Sequence, residues 1–171
     1  MTREEAKNLN LSLPQLKQEK IETEISSGKT NLLSDPKLQD LEKWKHKWKG
    51  SKGKLQPNVC FRGQKALYFE SPSNFTFSLM QEVTVPQDGE YQLSAIYRGV
   101  DTTGVSIKLI IKPSDEVDTT LQEYVIHPVD WFKKYHGPSI PLKANQKIEV
   151  GIHIEAPPIY GMLQELELIQ V

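Results

Sequence analysis

Cysteine is almost missing from this 171-residue chain: Cys60 is the only one. An internal disulfide and a thiolate zinc cage are therefore excluded. Surplus charge is missing too, since the net charge is −1, so no global field draws the protein to nucleic acid or to a membrane. No apolar run approaches the roughly 20 residues that a membrane-spanning helix requires. The opening Met1–Lys7 carries no apolar stretch, so no signal peptide is expected; the chain then reads as cytoplasmic, or as an excised domain with an added start Met. Enzyme signatures are missing as well: no H-E-x-x-H, no G-x-S-x-G and no P-loop is present. The four histidines, His46, His127, His136 and His153, form no close ligand pair. Acids are plentiful, so inventory alone leaves a paired-carboxylate hydrolase open, but none sits in a catalytic motif. Cys60 reads as a partly buried thiol rather than a nucleophile.

Residues 1–30 have no aromatic side chain and are rich in Glu, Lys, Gln and Ser, with Pro14 interrupting the leucines. They read as a linker or short appendage ending near Ser26-Ser27-Gly28. From Asn31 the texture changes. In Gln81–Gly99, Val83 and Val85 alternate with polar residues, Pro86–Gly89 breaks the run, and Tyr91, Leu93, Ala95 and Tyr97 alternate again. Period-two alternation buries one face of a pleated ribbon. The Asp88-Gly89 pair is expected to supply the positive φ of a tight connection.

Strands are predicted near 43–50, 65–70, 75–85, 90–98, 104–112, 121–126, 138–142, 146–155 and 162–170, separated by turn clusters such as Asp101–Gly104 and Lys143–Asn145. Many short strands between turns mean an all-β antiparallel sandwich or barrel. The alternation in Val105–Lys112 and Ile148–Ile154 suits two stacked sheets.

Four segments carry a resemblance. Asn31-Leu-Leu-Ser-Asp-Pro-Lys-Leu-Gln-Asp-Leu-Glu-Lys-Trp44, then Gln81–Ala95, Trp131-Phe-Lys-Lys-Tyr-His-Gly-Pro-Ser-Ile140 and Gly161-Met-Leu-Gln-Glu-Leu-Glu-Leu168 follow one another across residues 31–171. Their order and spacing resemble the β-jelly-roll carbohydrate-binding modules of bacterial glycoside hydrolases, with a galactose-binding-like fold. The His127–Trp131 and Pro138–Ile140 region is most similar to galactanase-associated modules of family 61. The resemblance implies a two-sheet jelly roll over 31–171, and a non-catalytic role. Such a module tethers a covalently linked catalytic domain to plant polysaccharide, with β-1,4-galactan as first ligand. It implies an extracellular or cell-surface setting within a larger bacterial protein. It also implies a monomer, with no nucleic-acid or membrane partner.

Modules of this kind often hold a structural calcium between an early Glu and a late pair of Asp. Here those positions are Gln39 and Gln164-Glu165. A hard cation wants several oxygens, preferably charged. No metal and no other cofactor is therefore expected, weak calcium binding being disfavoured. The two ends of the motif are expected to meet through hydrogen bonds instead.

Candidate sugar contacts follow. Trp131 and Tyr160 occupy loops whose strands end close together in such a sandwich, and sugar rings stack on aromatic faces. Arg98, Asp130 and His136 supply planar hydrogen-bonding groups. Arg98 follows the inward Tyr97, so it lies on the outer face: in a groove it is a contact, on a bulging face a solvated charge. Trp131 and Tyr135 read equally as structural anchors. In Lys43-Trp-Lys-His-Lys-Trp-Lys49, Trp44, His46 and Trp48 share one face and the lysines the other. Trp48 is a platform candidate or a core residue; the lysines read as protection of an edge strand. The alternatives to glycan binding are a structural or protein-interaction sandwich without a sugar site, and a glycan-active enzyme on the same fold.

Overall fold

The computed structural model describes residues 29–51, 53–116 and 118–171. The linker expected over residues 1–30 lies, except for its last two residues, outside the described residues.

Eleven strands are present among them. β1 (Lys45–Gly50), β2 (Lys54–Phe61), β3 (Gln64–Glu70), β4 (Phe75–Thr84), β5 (Gly89–Gly99) and β6 (Ser106–Pro113) come first. β7 (Gln122–Ile126), β8 (Lys133–His136), β9 (Ile140–Leu142), β10 (Lys147–Ala156) and β11 (Tyr160–Gln170) complete the order. They build a five-stranded sheet, β1-β4-β10-β6-β7, and a second sheet, β2-β3-β11-β5-β8, whose β5 also pairs with β9. Every pairing is antiparallel. The architecture is the expected all-β two-sheet jelly roll.

Alternation determines what the two sheets bury between them. Phe77, Leu79, Ile107, Leu109, Ile111, Ile148, Val150, Ile152 and Ile154 come from the five-stranded sheet and are fully buried. Leu67, Phe69, Tyr91, Leu93, Tyr97, Leu166 and Leu168 meet them from the other. At about 1.5–3 kcal/mol for each fully buried large apolar side chain, this layer is the main source of stability. Leu33, Leu38 and Trp44 close one end of it.

Several readings of the sequence change. Val83, Val85, Tyr91, Leu93, Ala95 and Tyr97 all face the core as expected, but β4 and β5 lie in different sheets. Residues 85–88 therefore carry the chain across the sandwich rather than around a hairpin. Gly89 has no positive φ, and the Asp88 carboxylate instead accepts the Ala144 N–H at 2.8 Å. The tight hairpin is elsewhere: Phe61 pairs with Gln64, and Arg62 (φ 52°) and Gly63 (φ 80°) form the two-residue connection of β2 and β3. Two successive positive φ values match the twist of the flanking strands. Strands β2 and β8 have no counterpart among the predicted strands. In β2, Pro57 brings no N–H to the ladder, and the register shifts between Gln56 and Val59. β8 is only four residues long. Cys60, expected to be partly buried, is exposed: after the register shift it pairs with the exposed Lys65 near the hairpin end, where no described residue covers it.

The ends of the calcium-like motif do meet. Leu166 N–H donates to the Pro36 carbonyl at 3.0 Å, and Asn31 Nδ2 donates to the Leu166 carbonyl at 3.2 Å. The residues present do not suit a metal. Lys37 Nζ sits 3.5 Å from a Glu165 carboxylate oxygen, placing a fixed cation at the one remaining late acid. Asp35 is occupied by the Gln39 and Asp40 N–H groups, at 3.0 and 2.9 Å, and by Trp44 Nε1 at 3.2 Å.

Candidate functional site

The outer face of the β2-β3-β11-β5-β8 sheet brings four of the six expected contacts to one place. Arg98 is the penultimate residue of β5, and its neighbour across the ladder on β11 is Met162. Tyr160 opens β11, opposite Glu70 on β3. The loop before β8 is pinned to the end of β5 by Gly99 N–H donating to the Val129 carbonyl at 3.0 Å. This hydrogen bond brings Asp130 over the sheet. Arg98 Nη2 lies 3.0 Å from Asp130 Oδ1, and Tyr160 Oη donates to the same oxygen at 3.0 Å. Asp130 Oδ2 has no hydrogen-bond partner among the described residues, although its side chain is 68% exposed. Trp131, next in the chain, is 60% exposed.

Arg98 takes neither of the two roles expected for it. Its parity is right, since Tyr97 is in the core and Arg98 on the outer face. It is nevertheless only 7% exposed, because the tip of the β2–β3 hairpin folds over it. The Phe61 ring centroid lies 4.3 Å from the guanidinium carbon. A guanidinium over an aromatic face gains cation–π attraction while keeping its edges for hydrogen bonds. Arg98 thus acts as a buried post for Asp130, leaving the carboxylate as the outward group.

The other two candidates lie apart. His136 is on β8 opposite Ser94, with Nδ1 3.0 Å from Ser94 Oγ. Ser94 and Arg98 are four residues apart on one strand, about 13 Å. Trp48 belongs to the other sheet and turns inward: it stacks on Phe75 with centroids 4.9 Å apart and 12° between planes. Its indole N–H donates to the Ser51 carbonyl at 3.0 Å. Trp44 is buried and His46 exposed.

Sequence reasoning missed Tyr68, Glu70 and Phe61. Tyr68 lies between the fully buried Leu67 and Phe69, so its outward direction was legible from alternation. Its ring is 6.4 Å from that of Tyr160 and inclined by 19°. Tyr68 Oη donates a short hydrogen bond to a Glu70 carboxylate oxygen. Burial, then this bond and the adjacent negative charge, push the Tyr68 phenol up to about 12. At neutral pH it is therefore a donor. Together the face offers two near-parallel phenols and two carboxylates, with the exposed indole of Trp131 next to Asp130 in the chain.

No protein-family model matches the sequence, and no curated protein matches it. Solved structures do match. A family 61 carbohydrate-binding module, TmCBM61, solved in complex with β-1,4-galactotriose, superposes with a TM-score of 0.62 at 20% identity, over 83% of this chain and 99% of that one. The fold is that of the β-sandwich carbohydrate-binding modules. A putative sugar binding protein from Bacteroides thetaiotaomicron matches with a TM-score of 0.57 at 12% identity, over 83% of this chain and all of that one. The enzymatically active domain of tailspike protein 4 from bacteriophage CBA120 also matches, with a TM-score of 0.60 at 10% identity. It covers 82% of this chain but 21% of that one. The carbohydrate-binding-module fold is thus shared with a part of a much larger chain, and fold by itself does not assign a ligand. Among the described residues, no group of three or more His, Cys, Asp or Glu is arranged to hold a metal, and no helix is long and apolar enough to cross a membrane.

Proposed function

We propose that this chain is a non-catalytic glycan-binding module whose site is the Trp131–Asp130–Tyr160 face, and that it tethers an enzyme to plant polysaccharide. The observation that carries this reading is Trp131: an indole 60% exposed, adjacent to a carboxylate that two hydrogen-bond donors hold in place. A sugar ring laid on the indole meets Asp130 Oδ2 as acceptor, and Tyr160 and Tyr68 flank it. Stacking supplies most of the affinity and the fixed carboxylate orients the hydroxyls. Neutral β-1,4-galactan is the first ligand, supported by the likeness to a module solved with β-1,4-galactotriose. Tethering works by proximity, since a linked module raises the effective concentration of substrate near its catalytic partner. That partner is a covalently attached glycoside hydrolase domain. The module is a monomer, residues 31–171 fold as its domain after a linker, and it works outside the cell.

The test is affinity electrophoresis or calorimetry with β-1,4-galactan oligosaccharides on the native chain and Trp131→Ala. The substitution is expected to weaken binding at least about tenfold while changing stability by less than about 0.5 kcal/mol, because the side chain is exposed. Unchanged affinity in the variant sinks the assignment of the site. No binding to any neutral plant polysaccharide favours the second reading, an interaction or structural sandwich. That reading draws on the mutual pairing of Arg98, Asp130 and Tyr160, which already occupies Asp130 Oδ1 and the Tyr160 hydroxyl. Release of reducing sugar by the pure protein would overturn the non-catalytic assignment.

A further inference from the structure

The outer face of the five-stranded sheet carries a groove of about 410 Å³ that shares no residue with the Trp131 face. Register places Lys45, Met80, Gly151 and Ile110 side by side across β1, β4, β10 and β6. The next row holds Lys47, Ser78, His153 and Lys108. Gly151 leaves the floor open: a Cβ there would lie 1.8 Å from the Leu79 carbonyl oxygen, so the backbone spacing admits no side chain.

Charge in the groove is arranged rather than scattered. Glu149 is 7% exposed although it stands on the outer face. Lys45 Nζ forms a short ion pair with it, and Lys112 Nζ lies 3.6 Å away. Burial raises its carboxyl, but the two ammoniums outweigh that and hold it below the ordinary value. One carboxylate thus holds two lysines at the groove wall. Lys47, and Lys49 beyond it on the same strand, are exposed and have no ion-pair or hydrogen-bond partner among the described residues. Lys45, Lys47 and Lys49 recur at every second position of one strand, a spacing of about 7 Å. Edge protection by lysine accounts for their exposure. It does not account for the buried Glu149 or for the groove beside them.

We infer that this groove is a second ligand site, for an acidic polysaccharide bearing a carboxylate on each sugar unit. With Lys45 held by Glu149, the unpaired ammoniums of Lys47 and Lys49, one strand repeat apart, fit a chain of repeating single charges better than one small anion. No Phe, Tyr or Trp lines the groove, so a neutral sugar has no large ring to stack on and a nucleobase no broad platform. Glu116 in the lining, with Glu82, Glu123 and Glu155 on the same face, repels any polyanion in proportion to its charge density, and so favours one carboxylate per sugar over a denser polyphosphate backbone. The site is independent of the neutral-glycan site proposed above.

The probe is polygalacturonate, in affinity gels at low ionic strength, where exposed ammonium–carboxylate attraction is least screened. The native chain is expected to be retarded, and fully methyl-esterified polymer to leave it unretarded. The double variant Lys47→Glu/Lys49→Glu is expected to lose at least about tenfold in affinity, roughly fivefold or less per exposed pair plus the added repulsion. Its melting temperature should be unchanged, since neither lysine has a partner to lose. The control Lys65→Glu/Lys143→Glu, with the same change in net charge away from the groove, should bind as the native chain does. Absence of retardation overturns the inference, as does an equal loss in the control. Single-stranded DNA binding as tightly, with the same dependence on Lys47 and Lys49, overturns it in favour of a nucleic-acid surface. Trp131→Ala should leave polygalacturonate binding intact, so failure here and failure of the galactan reading are separable.

Discussion

Asp35 shows how much one side chain decides. Its two carboxylate oxygens accept the N–H groups of Gln39 and Asp40 and the indole N–H of the buried Trp44. Asp35→Ala hands the two exposed backbone N–H groups to water and leaves the indole N–H only its second acceptor, the Asp35 carbonyl at 3.3 Å, and is expected to cost about 1–2 kcal/mol, read as a shift of the denaturation midpoint. Glu149 gives the acid response. Its folded carboxyl lies below the ordinary value of 4.5, so its contribution is full above about pH 4.5 and is lost as pH falls through the lower folded value. Glu149→Gln removes that dependence. Melting curves between about pH 5 and pH 3 should fall less steeply for the variant than for the native chain; parallel curves would refute the linkage.

At the scale of elements, the β2–β3 hairpin is the part that sequence reading missed and the site most needs. Its tip carries Phe61 onto Arg98. The turn depends on Gly63, whose φ is 80° and whose added Cβ would meet nothing within 4 Å. Gly63→Ala therefore costs backbone strain alone, about 1–2 kcal/mol, and Gly63→Asn less, as equilibrium unfolding would show. A much larger loss would mean that the Cβ clashes after all. The alternating runs of β4, β5, β6 and β10 were legible because each puts its apolar residues on one face. β2 was not, because its ladder is interrupted between Gln56 and Val59 and its side chains are half wet throughout. Alternation placed Trp44, His46 and Trp48 together, but only pairing with β4 showed that Trp48 stacks on Phe75.

For the whole molecule, the two ends of the described chain are joined by direct protein contacts. Asn31 and Pro36 bond to β11, and Lys37 pairs with Glu165. Adding a chelator, or millimolar calcium after it, is expected to leave the melting temperature within about 1 °C, since a ligand stabilises only in proportion to its binding. A rise of several degrees with calcium would show that Lys37 yields its place.

The sequence by itself determined the all-β class and most of the core, because period-two alternation is a local property that any pairing must respect. It also brought Arg98, Asp130, Trp131 and Tyr160 into consideration as candidates for one site, together with His136. Only the tertiary structure decided that β4 and β5 part company into separate sheets, that Arg98 is roofed by Phe61, and that Trp48 and His136 stand away from the other four. Those outcomes depend on which strand pairs with which and on where a hairpin tip folds, and both are set by contacts between residues far apart in the chain.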